Sequence, residues 1–201
     1  DSYGSRGLGD VYKRQPKAFS QDGQYPPLTV PSTEVRTINS EFVPGTEFEL
    51  FITLPADYTS SDQHYSVVYY TDAGYWAPTL ITAYQLIQGQ NEIPPLILVG
   101  ISYKARGKAL AYRARDFIPT HIPVEELSPD SRIYGQMSGG ADQYVKFLEQ
   151  ELIPFVEKEY RASSEARAML GYSHGGLLSS YLLISKPELF QRYLIGAPSL
   201  S

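Results

Sequence analysis

Gly171-Tyr172-Ser173-His174-Gly175 is a G-x-S-x-G pentapeptide set between an apolar run and a helix-like pattern. The run Ala166-Arg167-Ala168-Met169-Leu170 reads as a short buried strand, and Leu177 to Ile184 reads as a helix that Pro187 stops. A serine between such a strand and such a helix has the context of a nucleophile elbow. The turn is so tight that it strains the serine backbone, and glycines at 171 and 175 let strand and helix meet without side-chain clashes.

The rest of the chain fits that context. From Thr33 to Val43 and again from Glu47 to Leu54, apolar and polar residues roughly alternate around Pro44-Gly45, which predicts an antiparallel hairpin. Tyr65 to Thr71 is a continuous apolar strand. It is followed by the loop Asp72 to Trp76 and a helix from about Pro78 to Gln88. Leu96 to Ser102 is the next buried strand, and Tyr103 to Met137 reads as a long irregular loop. Gly140 to Tyr160 has helical periodicity, with Val145, Leu148, Leu152, Phe155 and Val156 on one face. Lys146, Glu149, Glu151, Glu157 and Lys158 look outward, and Pro154 should kink the helix. A last strand spans Arg192 to Ala197. Uninterrupted apolar strands separated by helices point to an α/β protein whose mostly parallel sheet is covered on both faces, with the hairpin at its N-terminal side.

Composition narrows the function classes. With 42% hydrophobic and 19% charged residues in 201, the chain fits one globular domain. Its net charge of −5 argues against a general nucleic-acid binder. No apolar run approaches membrane-spanning length. Cysteine is absent, which excludes disulfides, thiolate metal sites and a cysteine nucleophile. Seventeen tyrosines suit the walls of a site for a ligand of mixed polarity.

The two ends read differently from the middle. Ser5 to Gln15 reads as the in-frame translation of a transposon-type sequencing adapter, so residues 1–15 are set aside as non-native. Residues 16–31 form a Pro-rich segment of the kind that often follows a signal peptide, which favours a periplasmic or secreted protein over a cytoplasmic one. Residues 32–201 are then expected to be a domain truncated at its C-terminus, because the chain stops directly after an apolar strand.

Four segments carry a family likeness: Tyr69 to Trp76, Val99 to Tyr103, Arg113-Ala114-Arg115-Asp116-Phe117-Ile118-Pro119, and Gly139 through the elbow to Leu200. With this element order they resemble the esterase-D-like branch of the α/β-hydrolase fold. That branch includes bacterial siderophore esterases, S-formylglutathione hydrolases and mycolyltransferases. The second and third segments look most similar to the siderophore-esterase subgroup. Where that subgroup more often has Asp-Gly after the strand, this chain has Asp72-Ala73-Gly74.

The resemblance implies a serine-dependent carboxylic ester hydrolase, independent of metal and cofactor, acting through an acyl-enzyme on siderophore-type or other anionic esters. Two rivals are an acyltransferase of the mycolyltransferase type and a non-catalytic ligand-binding relative. Ser173 is the expected nucleophile. The oxyanion hole would take the backbone N–H groups of His174 and Gly74. Arg113, Tyr75 and Trp76 are expected to touch substrate. Lys104, Arg106, Lys108, Arg113 and Arg115 form the most basic stretch of an acidic chain, suited to an anionic ligand unless Arg113 or Arg115 simply pairs with Asp116.

Asp72 reads as a loop or helix-capping residue. His64 reads as a surface residue, His121 as a loop residue that could line the site, and His174 as an elbow residue whose side chain points elsewhere. In this fold the order is Ser, acid, His, so the triad acid and histidine are expected to be absent from these 201 residues. The fragment by itself is therefore expected to be inactive and unstable.

Overall fold

In the computed structural model, residues 30–126, 129 and 132–199 are described. The adapter-like residues 1–15 and nearly all of the Pro-rich segment lie outside them. The hairpin pairs β1 (Thr33–Asn39) with β2 (Glu47–Thr53), Thr33 opposite Thr53. β1 stops short of the expected Val43 because Ser40 leaves the ladder. Its hydroxyl accepts the Val43 N–H at 2.9 Å and donates to Glu151 at 2.6 Å.

β3 (Tyr65–Tyr70), β4 (Leu96–Tyr103), β5 (Ala162–Tyr172) and β6 (Arg192–Gly196) run parallel. The sheet order is β1-β2-β4-β3-β5-β6, with β2 antiparallel to both of its neighbours. The chain steps from β3 to one side to form β4, then back across β3 to form β5. That reversal opens a crevice at the carboxyl ends of β3 and β5, where open α/β sheets bind ligands.

Strand periodicity divides the core between the two faces of the sheet. Val67 and Tyr69 of β3, with Ile97, Val99 and Ile101 of β4, face the larger cluster. Their alternates Val68, Tyr70, Leu96 and Leu98 face the smaller one. The smaller cluster packs under α1 (Ala73–Gly89) through Ala73, Ala77, Ile81 and Tyr84. Beside α1 the sheet stays open as an apolar groove of 530 Å³ floored by Val68, Leu170 and Leu194. α1 begins five residues before the expected Pro78, which lies inside the helix. Burial of Ala73 and Ala77 outweighs the ladder bond that the proline forfeits.

The region expected to be an irregular loop is largely helical. It holds a 3₁₀ turn (Arg106–Lys108), α2 (Ala109–Phe117), a second 3₁₀ turn (Val124–Glu126) and α3 (Arg132–Met137). α2 is pinned at its end by Asp116, whose carboxylate accepts Tyr103 O–H at 2.8 Å and two bonds from Arg115 at 2.6 and 3.0 Å. Arg115 also donates to Thr46 Oγ1 at 2.9 Å. Burial pushes the Asp116 carboxyl up, and the Arg115 guanidinium opposes it.

The expected long helix is instead α4 (Ala141–Phe147), a π turn (Leu148–Leu152) and α5 (Ile153–Glu159) in succession. The wider pairing falls directly before Pro154, where a helix lacks a donor. Its expected apolar face is buried or half-buried in the larger cluster. All three carboxylates expected to look outward are instead engaged: Glu149 with Lys186, Glu151 with Ser40 and Glu157 with Arg167. α6 (His174–Ser185) follows β5 and packs Leu178 and Leu182 into the same cluster.

Candidate active site

β5 ends at Tyr172 and α6 begins at His174, so Ser173 alone makes the turn, with φ 57° and ψ −118°. A residue with a Cβ pays strain in that region. The surroundings enforce it. Ser173 N–H donates to Gly196 O at 3.0 Å, while Ser173 O accepts Leu177 N–H at 2.9 Å and Ser199 N–H at 3.1 Å. A Cβ on Gly171 would collide with the Gly175 carbonyl, and one on Gly175 with the Thr71 hydroxyl, which accounts for both glycines of the motif. The Ser173 hydroxyl is half-buried and shares a hydrogen bond with Ser199 Oγ at 3.2 Å.

The serine opens on a cleft of 490 Å³ that Asp72, Tyr75, Trp76, Arg113 and Tyr172 also line. Sequence reasoning placed Ser173, Arg113, Tyr75 and Trp76 in one site, and the fold brings all four together. β3 runs into α1, delivering Asp72, Tyr75 and Trp76. α2 supplies Arg113, and β5 ends in Tyr172 and the serine. Tyr75 is 68% exposed, and the Trp76 ring meets Tyr172 edge-on at 6.0 Å. Gly74 lies in the first turn of α1 and His174 is the first residue of α6. Backbone N–H groups in a first helical turn have no carbonyl one turn back. Two helix N-termini therefore border the cleft, a setting that favours negative charge.

Asp72 occupies the position before α1 with φ 59° and ψ 30°, but its side chain makes no capping bond. Its carboxylate instead takes Arg113 Nε–H at 2.5 Å and Nη2–H at 3.0 Å. Burial raises the Asp72 carboxyl, while Arg113 and then His174 act to lower it. The His174 imidazole is coupled electrostatically to both members of this pair. Burial lowers its pKa, Arg113 adds to that, and Asp72 partly offsets both.

The other cations of the basic stretch serve local partners. Lys104 pairs with Glu47 at 2.7 Å, Arg106 with Glu49 at 3.0 Å, and Arg115 with Asp116. Lys108 is exposed. His64 is exposed, as expected. His121 lies outside the cleft lining, with Nδ1 3.4 Å from the Ser138 carbonyl oxygen. Among the described residues no group of three His, Asp or Glu side chains converges as a metal site.

Residues 42–201 match the protein family described as "Putative esterase". The chain belongs to this esterase family. Within it, the chain is similar to ferri-bacillibactin esterase BesA of Bacillus subtilis strain 168, 32% identical over 193 residues, covering 94% of this chain and 65% of BesA. It thus spans just under two thirds of that relative.

Among solved structures it is similar to the BES protein from Bacillus cereus, with 26% identity and a TM-score of 0.74 over 88% of this chain and 65% of that one. It is also similar to an IroE-like serine hydrolase from Shewanella oneidensis, with 28% identity and a TM-score of 0.69 over 81% of this chain and 49% of that one. The esterase-branch resemblance and the α/β-hydrolase fold read from the sequence are thus both upheld.

Sequence reasoning missed Ser199, Tyr172 as a wall, and Asp72 as the partner of Arg113. The one available signal for Asp72 was its place at the carboxyl end of β3, the strand beside the elbow strand.

Proposed function

We propose that the complete protein is a serine-dependent carboxylic ester hydrolase that acts through an acyl-enzyme on siderophore-type esters. The observation that carries this reading is the strained Ser173 backbone, held from both sides, with its hydroxyl opening on a cleft bordered by two helix N-termini. Ser173 Oγ attacks the ester carbonyl carbon, and the carbonyl oxygen takes up the negative charge. The N–H groups of His174 and Gly74 are assigned to stabilise that oxygen. Collapse expels the alcohol, and water then releases the acyl group from Ser173.

The serine proton must pass to a base. Ser199, the hydroxyl's partner here, is not one. The acid and base are assigned to the part of the relatives' length that this chain does not span, in the order Ser, acid, His. The siderophore reading is supported by what BesA is named for, and by the aromatic walls Tyr75, Trp76 and Tyr172, which suit planar acyl groups.

Treating the complete protein with a fluorophosphonate is expected to label Ser173 and stop ester release. No adduct on Ser173 in a protein that still hydrolyses esters would sink the assignment. Trp76→Ala is expected to raise KM for an aromatic ester by about tenfold with kcat nearly unchanged, as loss of uniform binding does. Steady-state kinetics check this, and an equal fall in kcat would count against a binding role.

A further inference from the structure

Beside Ser173 lies a charge pair that these hydrolytic steps do not use. The side chains of Asp72 and Arg113 are 5% and 15% exposed, and both line the cleft. They come from different elements, the residue before α1 and the middle of α2. The contact is two-pronged: Arg113 Nε and Nη2 both donate to the carboxylate, which fixes the plane of the guanidinium. Nη1 is the amino group that Asp72 does not hold.

The Phe117 ring lies 5.6 Å from the guanidinium carbon, and the His174 imidazole on α6 feels both charges. Lys104, Arg106 and Arg115 are each bound to an acid of their own. Lys108 is exposed and is not among the residues lining the cleft, so Arg113 is the one cation of the basic stretch that lines it, and it arrives there already paired with a carboxylate.

We infer that the Asp72–Arg113 pair sets the charge selectivity of the cleft. Asp72 clamps Arg113 and cancels its charge, so that Arg113 offers an ester a hydrogen-bond donor without a net pull on anions. This rests on the proposed ester hydrolysis at the same site, and it runs against the anion-selective cleft expected from the basic stretch. Asp72 is a positioning residue and Arg113 a specificity-determining one, and neither transfers a proton. An unpaired charge in a half-enclosed cleft is poorly screened, so removing either member should tilt the preference between charged and neutral esters.

The test compares kcat/KM of the complete protein for a neutral aryl ester and for its analogue bearing one added carboxylate. Asp72→Asn leaves the guanidinium charge uncompensated. It is expected to raise the anionic-to-neutral ratio about tenfold at low salt and to make that ratio fall with added salt. Asn tolerates the left-handed backbone at position 72, so the turn should survive. Arg113→Gln leaves the carboxylate uncompensated and is expected to lower the ratio by a similar factor. The double variant should return it close to the wild-type value. Ratios that stay put, or that move the same way in both single variants, would overturn the inference.

A second readout does not need turnover. The His174 imidazole pKa, followed by NMR and assigned with His174→Gln, should fall in Asp72→Asn and rise in Arg113→Gln. Absence of opposite shifts would overturn the pair's role even if neither ester were hydrolysed. Absence of Ser173-dependent turnover with opposite shifts present would instead remove the hydrolase reading and leave the charge pairing standing.

Discussion

Ser173→Gly in the complete protein is expected to abolish the proposed ester turnover, by about 10⁴-fold or more, while leaving the fold more stable than Ser173→Ala does. The catalytic loss follows from deleting the nucleophile, and Ser173→Ala should match it. The stability gain separates the two variants. At φ 57° and ψ −118° a residue with a Cβ carries about 1–3 kcal/mol of strain, which glycine does not. Glycine gives back about 1 kcal/mol through the greater freedom of the unfolded chain, leaving a net gain on the order of 1 kcal/mol over alanine. Both variants lose the contact with Ser199 Oγ, so it cancels in the comparison. Urea unfolding of the pair measures the difference. A glycine variant no more stable than the alanine one would mean that the elbow stores no strain in Ser173.

Asp116→Ala is expected to destabilise the fold by about 3–5 kcal/mol. The Asp116 side chain is 1% exposed and accepts three bonds, one from Tyr103 and two from Arg115. Its removal strands a buried phenol and a guanidinium that is only 20% exposed. Because Arg115 can swing partly into water, the lower end of that range is expected. Since α2 carries Arg113, the variant should also weaken the Asp72 clamp. Chemical denaturation gives the first effect and the anionic-to-neutral ester ratio the second. A loss below about 1 kcal/mol would show that the network contributes little.

Periodicity made the sheet legible. Alternation in the hairpin and continuous apolar runs in β3 and β4 placed those strands to within a few residues, since each face needs every second side chain. The elbow was legible because two helix and strand patterns flank one pentapeptide. α2 was not, and the reason lies in its buried face. Asp116 sits there with Ala114 and Phe117, so the apolar period is broken by a carboxylate whose partner Tyr103 lies elsewhere in the chain, as does Thr46, the further partner of its neighbour Arg115.

The partner of Arg113 was illegible for a related reason. Asp116, three residues on, is the local choice for an arginine in a helix, but it is turned toward β4 and taken by Arg115. Arg113 reaches instead to Asp72, forty-one residues back. The π turn leaves no trace in composition beyond Pro154.

The elbow serine is gripped from outside its own motif. Gly196 O receives its amide and Ser199 N–H binds its carbonyl, so the loop leaving β6 shares control of the backbone that aims the hydroxyl. If Ser173 is the nucleophile we propose, reactivity and recognition rest on separate parts of the chain. On the proposed reading, substitutions around Asp72, Trp76 and Arg113 would retune what is chosen, whereas drift in the Ala197–Ser199 loop would retune how fast Ser173 acts. A lineage can therefore change its rate without touching a single wall of its cleft.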